Sequence, residues 1–267
     1  MRIKIVNYNI LNGSCNDERP FILDKKRLNL IIKVLENENP DIVILTEAYF
    51  WPFAKREKLD NYSILFDRIY NLPVPALNQF RWAPVVFSRF PIEFIDLSEF
   101  HKAFLRTNIK LGEKKVFLDV IHPHPDLREK EKEELINKVI NDHQNPYILA
   151  GDLNSLSSED NYDHNKLLEG YRKFMKNNAE EKVRDLLSFN SIKAILNKKL
   201  IDSFKAKNKE FDYTLPTDLR SESKESGVRV DYIFCSKEIK IVNSGIIKNK
   251  LTERASDHYP VYTILDI

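Results

Sequence analysis

TERASDHYPVYTILDI, residues 252–267, sets Ser256-Asp257-His258 one residue short of a proline and a run that alternates like a β-strand. A titratable pair at the mouth of a strand is either surface decoration or part of a site. The same arrangement recurs upstream. Asn9 closes IKIVNYNI, Glu47 closes DIVILTE, His122 closes KVFLDVIH, Asp152 and Asn154 close PYILAGDLN, and Asp231 lies within VRVDYIFCS. Each has a plain structural reading: a turn amide, a strand-end charge reaching water, a loop of turn formers, a satisfied core histidine. Taken together they fit one site, because strands of a rigid scaffold can deliver amides, carboxylates and imidazoles to a single place. The alternation also puts Arg229, Asp231 and Ile233 on one strand face, so a buried Asp231 needs either Arg229 or a metal as partner.

The rest of the chain frames these strands. APVVFSR and IKIVNSGII add further β-branched runs. LDKKRLNLIIKVLENENP reads as a helix capped by Asp24, with Leu28, Ile31, Ile32 and Leu35 on one face and Asn39-Pro40 at its end. A second helix follows HPHP, where Asp126 and Glu129 have capping-box spacing and Leu135, Ile136, Val139 and Ile140 form the apolar stripe. Its charge run REKEKEE reads as a solvated face. Residues 159–200 turn polar and helical, with Val183, Leu186 and Leu187 at helix spacing, and read as a helical insertion in a single domain covering residues 1–267.

Composition narrows the function classes. The 267 residues are 42% hydrophobic and can bury a substantial core. Forty-two basic against 40 acidic side chains leave a net charge of +2, too balanced for bulk charge to hold the chain to nucleic acid. Cys15 and Cys235 form no CxxC and read as free thiols of a reducing compartment. MRIKIVNYNI lacks the apolar core of a signal peptide, and no apolar run approaches the roughly 20 residues of a membrane-spanning helix. The expectation is a soluble, cytoplasmic monomer.

Carboxylate and amide oxygens suit a hard cation such as Mg²⁺, and a histidine oriented by a carboxylate can take a proton from water near neutral pH. That combination suits hydrolysis of phosphate esters.

NYNILNG, PDIVILTEA, VVFSRFPI, DVIHPHP, GDLNS, TLPT…RVDYIF and SDHYP, in that order and across nearly the whole chain, resemble the motifs of the endonuclease/exonuclease/phosphatase superfamily, the DNase I-like fold. The resemblance implies an α/β (α+β) protein, a four-layer αββα sandwich of two mostly antiparallel sheets flanked by helices. It implies that Glu47 binds the metal, Mg²⁺ with Mn²⁺ able to substitute, with Asn9 and Asp257 near the same cation. His258 resembles the general base and Asp231 the carboxylate that orients it. Asp152 and Asn154 would position the nucleophilic water and the scissile phosphate, and His122 resembles a second histidine that binds phosphate or assists the leaving group. Thr46 stands where the family usually has glutamine, RWAP stands where it commonly carries a glycine, and VIHPHP departs from the tyrosine-bearing segment of apurinic endonucleases. The expected function is a Mg²⁺-dependent nuclease on DNA or RNA. The alternatives are a phosphatase or phosphodiesterase of small-molecule or lipid-headgroup phosphates, and an inactive phosphate-binding module.

Two other readings are weaker. HPHPD echoes the His-x-His-x-Asp zinc signature of metallo-β-lactamase-like hydrolases, but Leu127 stands where that signature needs histidine. A serine hydrolase lacks its G-x-S-x-G elbow. For substrate contact, the basic stretch KKLIDSFKAKNK with Arg220, Lys224 and Arg229 could track a phosphate backbone, and Trp51, Phe53 and Trp82 could stack on bases. YNLPVPALNQFRW, carrying Arg81 and Trp82, reads as the substrate-facing loop.

Overall fold

Strand β1, Arg2–Asn9, alternates strictly: Ile3 and Ile5 face one way, Val6 and Tyr8 the other. In the computed structural model, which describes residues 1–15, 22–48, 62–66, 84–94, 104–175, 177–220 and 226–267, that alternation separates two cores. β1 pairs in parallel with β2, Ile42–Thr46, and helix α1, Lys25–Glu38, crosses between them. Asp24 caps α1 by accepting from the backbone of Lys26 and Arg27, and Asn39 ends it in a left-handed conformation at φ 46°. The strands β3, Ser63–Phe66, and β4, Val85–Ser88, extend this sheet on one side.

The second sheet repeats the device. After β5, Ile92–Phe94, and β6, Phe104–Leu111, strand β7, Lys114–Ile121, pairs in parallel with β8, Tyr147–Asp152, across helix α2, Glu129–Asn141. Three helices follow within the segment expected to be helical: α3, His164–Phe174, α4, Ala179–Leu186, and α5, Asn190–Asn197. Then come β9, Ile201–Asp202, β10, Asp231–Cys235, β11, Lys240–Ile246, the short helix α6, Thr252–Ala255, and β12, Val261–Asp266. Among the described residues the sheet orders are β11-β12-β1-β2-β4-β3 and β5-β6-β7-β8-β10-β9, each with one parallel pair among otherwise antiparallel neighbours.

Burial shows why the sheets stack. Ile3, Ile5, Ile42 and Ile44 meet Leu118, Val120, Ile148, Ala150 and Ile233 between them. The outer face of the first sheet, Val6, Tyr8, Val43 and Leu45, is covered by Leu28, Ile31 and Ile32 of α1. On the outer face of the second, Leu149, Tyr232 and Phe234 pack on Ile136, Val139 and Ile140 of α2 and on Ile192 and Ile195 of α5. The result is the four-layer αββα sandwich. Among the described residues no helix is long and apolar enough to cross a membrane, and Cys15 and Cys235 are both buried.

The start of α2 corrects the expected capping box. Asp126 lies outside the helix; Arg128 is the N-cap, and Glu131 accepts from its backbone N–H at 2.8 Å. A separate turn, closed by the Leu127 N–H donating to the His124 carbonyl at 3.1 Å, takes up Pro125 and Asp126, which moves the first helical turn onward.

Gly151 is the residue this architecture cannot exchange. It sits at φ 141°, and a Cβ there would stand 1.9 Å from the carbonyl oxygen of Ile121 at the end of β7. Gly151→Ala must therefore push β7 and β8 apart next to Asp152. We expect it to destabilise the protein by about 1–3 kcal/mol, read as a fall in the thermal unfolding midpoint by circular dichroism; an unchanged midpoint would show that the two strands can separate freely.

Candidate active site

Parallel strands joined by a crossover helix leave their carboxyl ends on the same rim, where open α/β sheets place ligands. Asn9 ends β1, Glu47 follows β2, His122 follows β7 and Asp152 ends β8. Along β1 the inward series Ile3, Ile5 continues as Asn7 and Asn9, so the apolar interior of the sandwich becomes polar at that rim. Asn7 donates across the sheets to the carbonyls of Gly151 (3.1 Å) and Tyr232 (3.4 Å). Asn9 Nδ2 donates to both Glu47 Oε1 (3.1 Å) and Asp152 Oδ2 (3.0 Å). Asp152 Oδ2 in turn lies 3.5 Å from His122 Nε2 and 3.8 Å from His258 Nε2.

The antiparallel register of β8 and β10 places Asp231 opposite Asp152, and His258 Nδ1 is 2.8 Å from Asp231 Oδ2. With its Nδ1 proton directed to Asp231, the imidazole turns Nε2 toward Asp152. Glu47 and Asn154 turn away from their strands at φ 54° and 48°. Glu47 Oε2 accepts from the Asn12 backbone at 2.8 Å, while Asp152 Oδ1 accepts from the Asn154 backbone at 2.9 Å, and Asn154 Nδ2 donates to the Pro123 carbonyl at 3.0 Å. Asp257 approaches Arg220 Nε at 3.2 Å.

Electrostatics divides the acids into roles. Burial alone would raise the pKa of Asp152, but the His122 hydrogen bond and the charge of His258 outweigh it and hold the carboxyl at about 2. Burial opposes charge on His258 as well, yet Asp231 and Asp152, helped by Asp257, push its pKa up to about 10. Each group thus favours the charge of the other: the imidazole its protonated form and Asp152 its ionised form. Asp152, Asp231 and His258 present possible ligand atoms within 4.8 Å of one another. Two of these are already joined as a proton-holding pair, so the better fit for a hard cation is the carboxylate pair of Glu47 and Asp152, which converge on the Asn9 Nδ2 amide. Glu47 is also the partly open member, with 16% of its side chain exposed against 2% for Asp152.

Several residues that support the site lack an obvious sequence signal. Glu129 and Lys132, inside the run read as solvated, are fully buried behind the GDLNS loop. Lys132 Nζ donates to the Asn154 carbonyl, and Glu129 Oε1 accepts from Ser155 Oγ at 2.6 Å. They are placed there because the first turn of α2 lies against the loop. Thr214 Oγ1 accepts from the backbone of Val230 and Asp231, and the Thr214 carbonyl accepts from Tyr259, which ties Asp231 to the His258 segment. Ser256 Oγ donates to the Asn9 carbonyl at 2.7 Å.

Arg229 requires a correction. It is neither a substrate contact nor the partner of Asp231: it is fully buried and bonds Asp160 at 2.8 Å and Asp202 at 2.7 Å. Its side chain leaves the inner face at the very start of β10, where the chain turns toward the helical segment. Lys205 of the expected basic stretch approaches the same Asp160 at 3.4 Å. His124 is 44% exposed beside Asp126, away from a zinc-like cluster. Arg81, Trp82, Trp51, Phe53 and Lys224 lie outside the described residues.

Two stacked mixed sheets with acids, amides and histidines gathered at one rim define a DNase I-like α/β protein. A sequence model of the endonuclease/exonuclease/phosphatase family matches residues 6–258, and the chain belongs to that family. No curated protein sequence matches it. Among solved structures it is similar to an AP endonuclease from Archaeoglobus fulgidus, at 18% identity and TM-score 0.70, with 99% of this chain and 100% of that one covered. It is also similar to an endonuclease/exonuclease/phosphatase from Bacteroides vulgatus, at 14% identity and TM-score 0.68, covering 100% and 99%. D. rerio TDP2 complexed with single-strand DNA product aligns at 14% identity and TM-score 0.62, covering 100% and 99%.

Proposed function

We propose that this protein is a divalent-metal-dependent phosphodiesterase that hydrolyses nucleic acid. The observation that carries the reading is the His258–Asp231 pair at 2.8 Å with its other ring nitrogen aimed at Asp152. In the neutral form His258 takes a proton from water at Nε2, and Asp231 stabilises the imidazolium that results. The hydroxide attacks phosphorus, the ester P–O bond breaks, His122 and Asn154 would stabilise the charged phosphoryl oxygens, and the departing oxygen takes a proton from solvent. Glu47 and Asp152, aligned by the Asn9 amide, would hold Mg²⁺, or Mn²⁺ in its place, with Asp257 nearby. When bound, that cation would neutralise phosphoryl charge and would weaken the negative field around His258. Nucleic acid is favoured as substrate by the likeness to an AP endonuclease and to a TDP2 that holds a DNA product. Arg220 adds a half-exposed cation beside Asp257 where a backbone phosphate can approach.

The test is hydrolysis with and without EDTA on single- and double-stranded DNA, abasic DNA, RNA, a generic phosphodiester and a set of phosphomonoesters. The expected result is EDTA-sensitive cleavage of a nucleic acid. Turnover confined to small esters would move the substrate to the phosphatase side of the family, and no turnover with retained Mg²⁺ and phosphate binding would leave a binding module.

A further inference from the structure

Arg27 lies in the KKR run of α1, where its neighbours are exposed, yet its own side chain is only 8% exposed. Its guanidinium makes four hydrogen bonds, all to backbone carbonyls: Ile10 at 2.9 Å, Leu11 at 3.0 Å, Cys15 at 3.0 Å and Ala255 at 3.2 Å. Three of these lie in the loop that follows Asn9. The fourth stands directly before Ser256-Asp257-His258.

The loop it grips is unusual. Leu11, Asn12, Gly13 and Ser14 take positive φ in succession, at 47°, 52°, 63° and 64°. Non-glycine residues hold such conformations only where their surroundings fix them. This loop acts on the site directly. The Leu11 N–H donates to Asn9 Oδ1 at 3.0 Å, which sets the amide so that Nδ2 meets Glu47 and Asp152. The Asn12 N–H donates to the other oxygen of Glu47. On the far side, Ala255 passes the constraint to Ser256, whose hydroxyl bonds the Asn9 carbonyl and accepts from the His258 backbone at 3.4 Å.

We propose that Arg27 is a positioning residue for catalysis: one guanidinium clamps residues 10–15 and residue 255 together, and so sets Asn9 and Glu47 against Asp257 and His258. A planar donor fork can satisfy four carbonyls at once, whereas an ammonium offers three donors from a single point. The catalytic consequence rests on the phosphodiesterase reading; the clamp itself does not.

Arg27→Lys keeps the charge and removes the fork. At a temperature well below its unfolding midpoint, its kcat on the cleaved ester should fall at least tenfold while KM stays within twofold of wild type, the signature of misplaced groups rather than lost binding. Backbone amide hydrogen exchange should accelerate in residues 10–15 and 255–258 together, with the central strands unchanged. A folded variant with wild-type kcat would overturn the positioning role. Should the variant not fold, native-state exchange of the wild-type protein in low denaturant decides between the outcomes: both segments are expected to open along one common denaturant dependence, and separate openings would overturn the clamp. A wild-type protein that turns over no ester would instead remove the phosphodiesterase reading, and the exchange result would still decide the clamp.

Discussion

His258→Ala is expected to lower kcat by roughly 10²–10⁴-fold with little change in KM, as removal of a general base does. The imidazole is buried, 6% exposed, and bonds Asp231 through one nitrogen, so no neighbouring group on that side can replace it. Removing it leaves Asp231 buried beside Asp152, and Asp231 then takes up a proton, because burial already pushes its pKa above the ordinary carboxylate value. The fold should survive, and thermal unfolding of the variant is the control. Asp231→Asn should reproduce most of the loss while preserving shape, because the imidazolium loses its counter-charge. Activity within about tenfold of wild type, a barrier change near 1.4 kcal/mol, would remove His258 as the base.

Arg229→Met should act on stability and leave substrate recognition alone. Arg229 lies over the rings of Phe204 (5.1 Å) and Tyr232 (4.5 Å) and holds Asp160 and Asp202, so its loss leaves Asp202 buried without its cation and Asp160 with Lys205 at 3.4 Å. Breaking such a buried set from one side costs roughly 3–5 kcal/mol, measurable by urea unfolding. The pH dependence has a definite sign. Burial already raises the pKa of Asp202 against the pull of Arg229, and without that cation the folded-state pKa rises further above the unfolded value near 3.9. A raised folded pKa gives stability that is present in acid and lost as pH rises. The variant should therefore lie closest to wild type near pH 4 and fall away toward neutrality. A loss below about 1 kcal/mol at pH 7 would show that the carboxylates are solvated after all.

The inner strands and the residues at their ends were legible because period two is a local signal: Asn9, Glu47, His122 and Asp152 each interrupt an apolar series near its end, and Asp231 interrupts one at its start. Their convergence is a property of pairing, since β1–β2 and β7–β8 had to be parallel to bring four strand ends to one rim. Asn7 was invisible because an asparagine two residues before another looks like the same turn. Arg27, Glu129 and Lys132 were hidden inside charge runs, where only packing tells which member faces inward. Arg229 was misassigned for a related reason: alternation predicts a shared face with Asp231, but the register of β10 begins at Asp231, so Arg229 lies just outside the strand. β6 escaped because Arg106, Thr107 and Asn108 dilute its apolar pattern, and all three are buried.

The pairing of β1 with β12 joins residues such as Arg2 and Asp266, from opposite ends of the sequence. On the ribosome, β1, β2 and α1 emerge early, but the proposed His258–Asp231 pair is incomplete until residue 258 clears the exit tunnel. A nascent chain therefore carries Asn9, Glu47 and Asp152 before the proposed base, His258. Contacts so distant in sequence also make the closing step a slow one in folding, so on the phosphodiesterase reading the site is completed only when β12 joins β1.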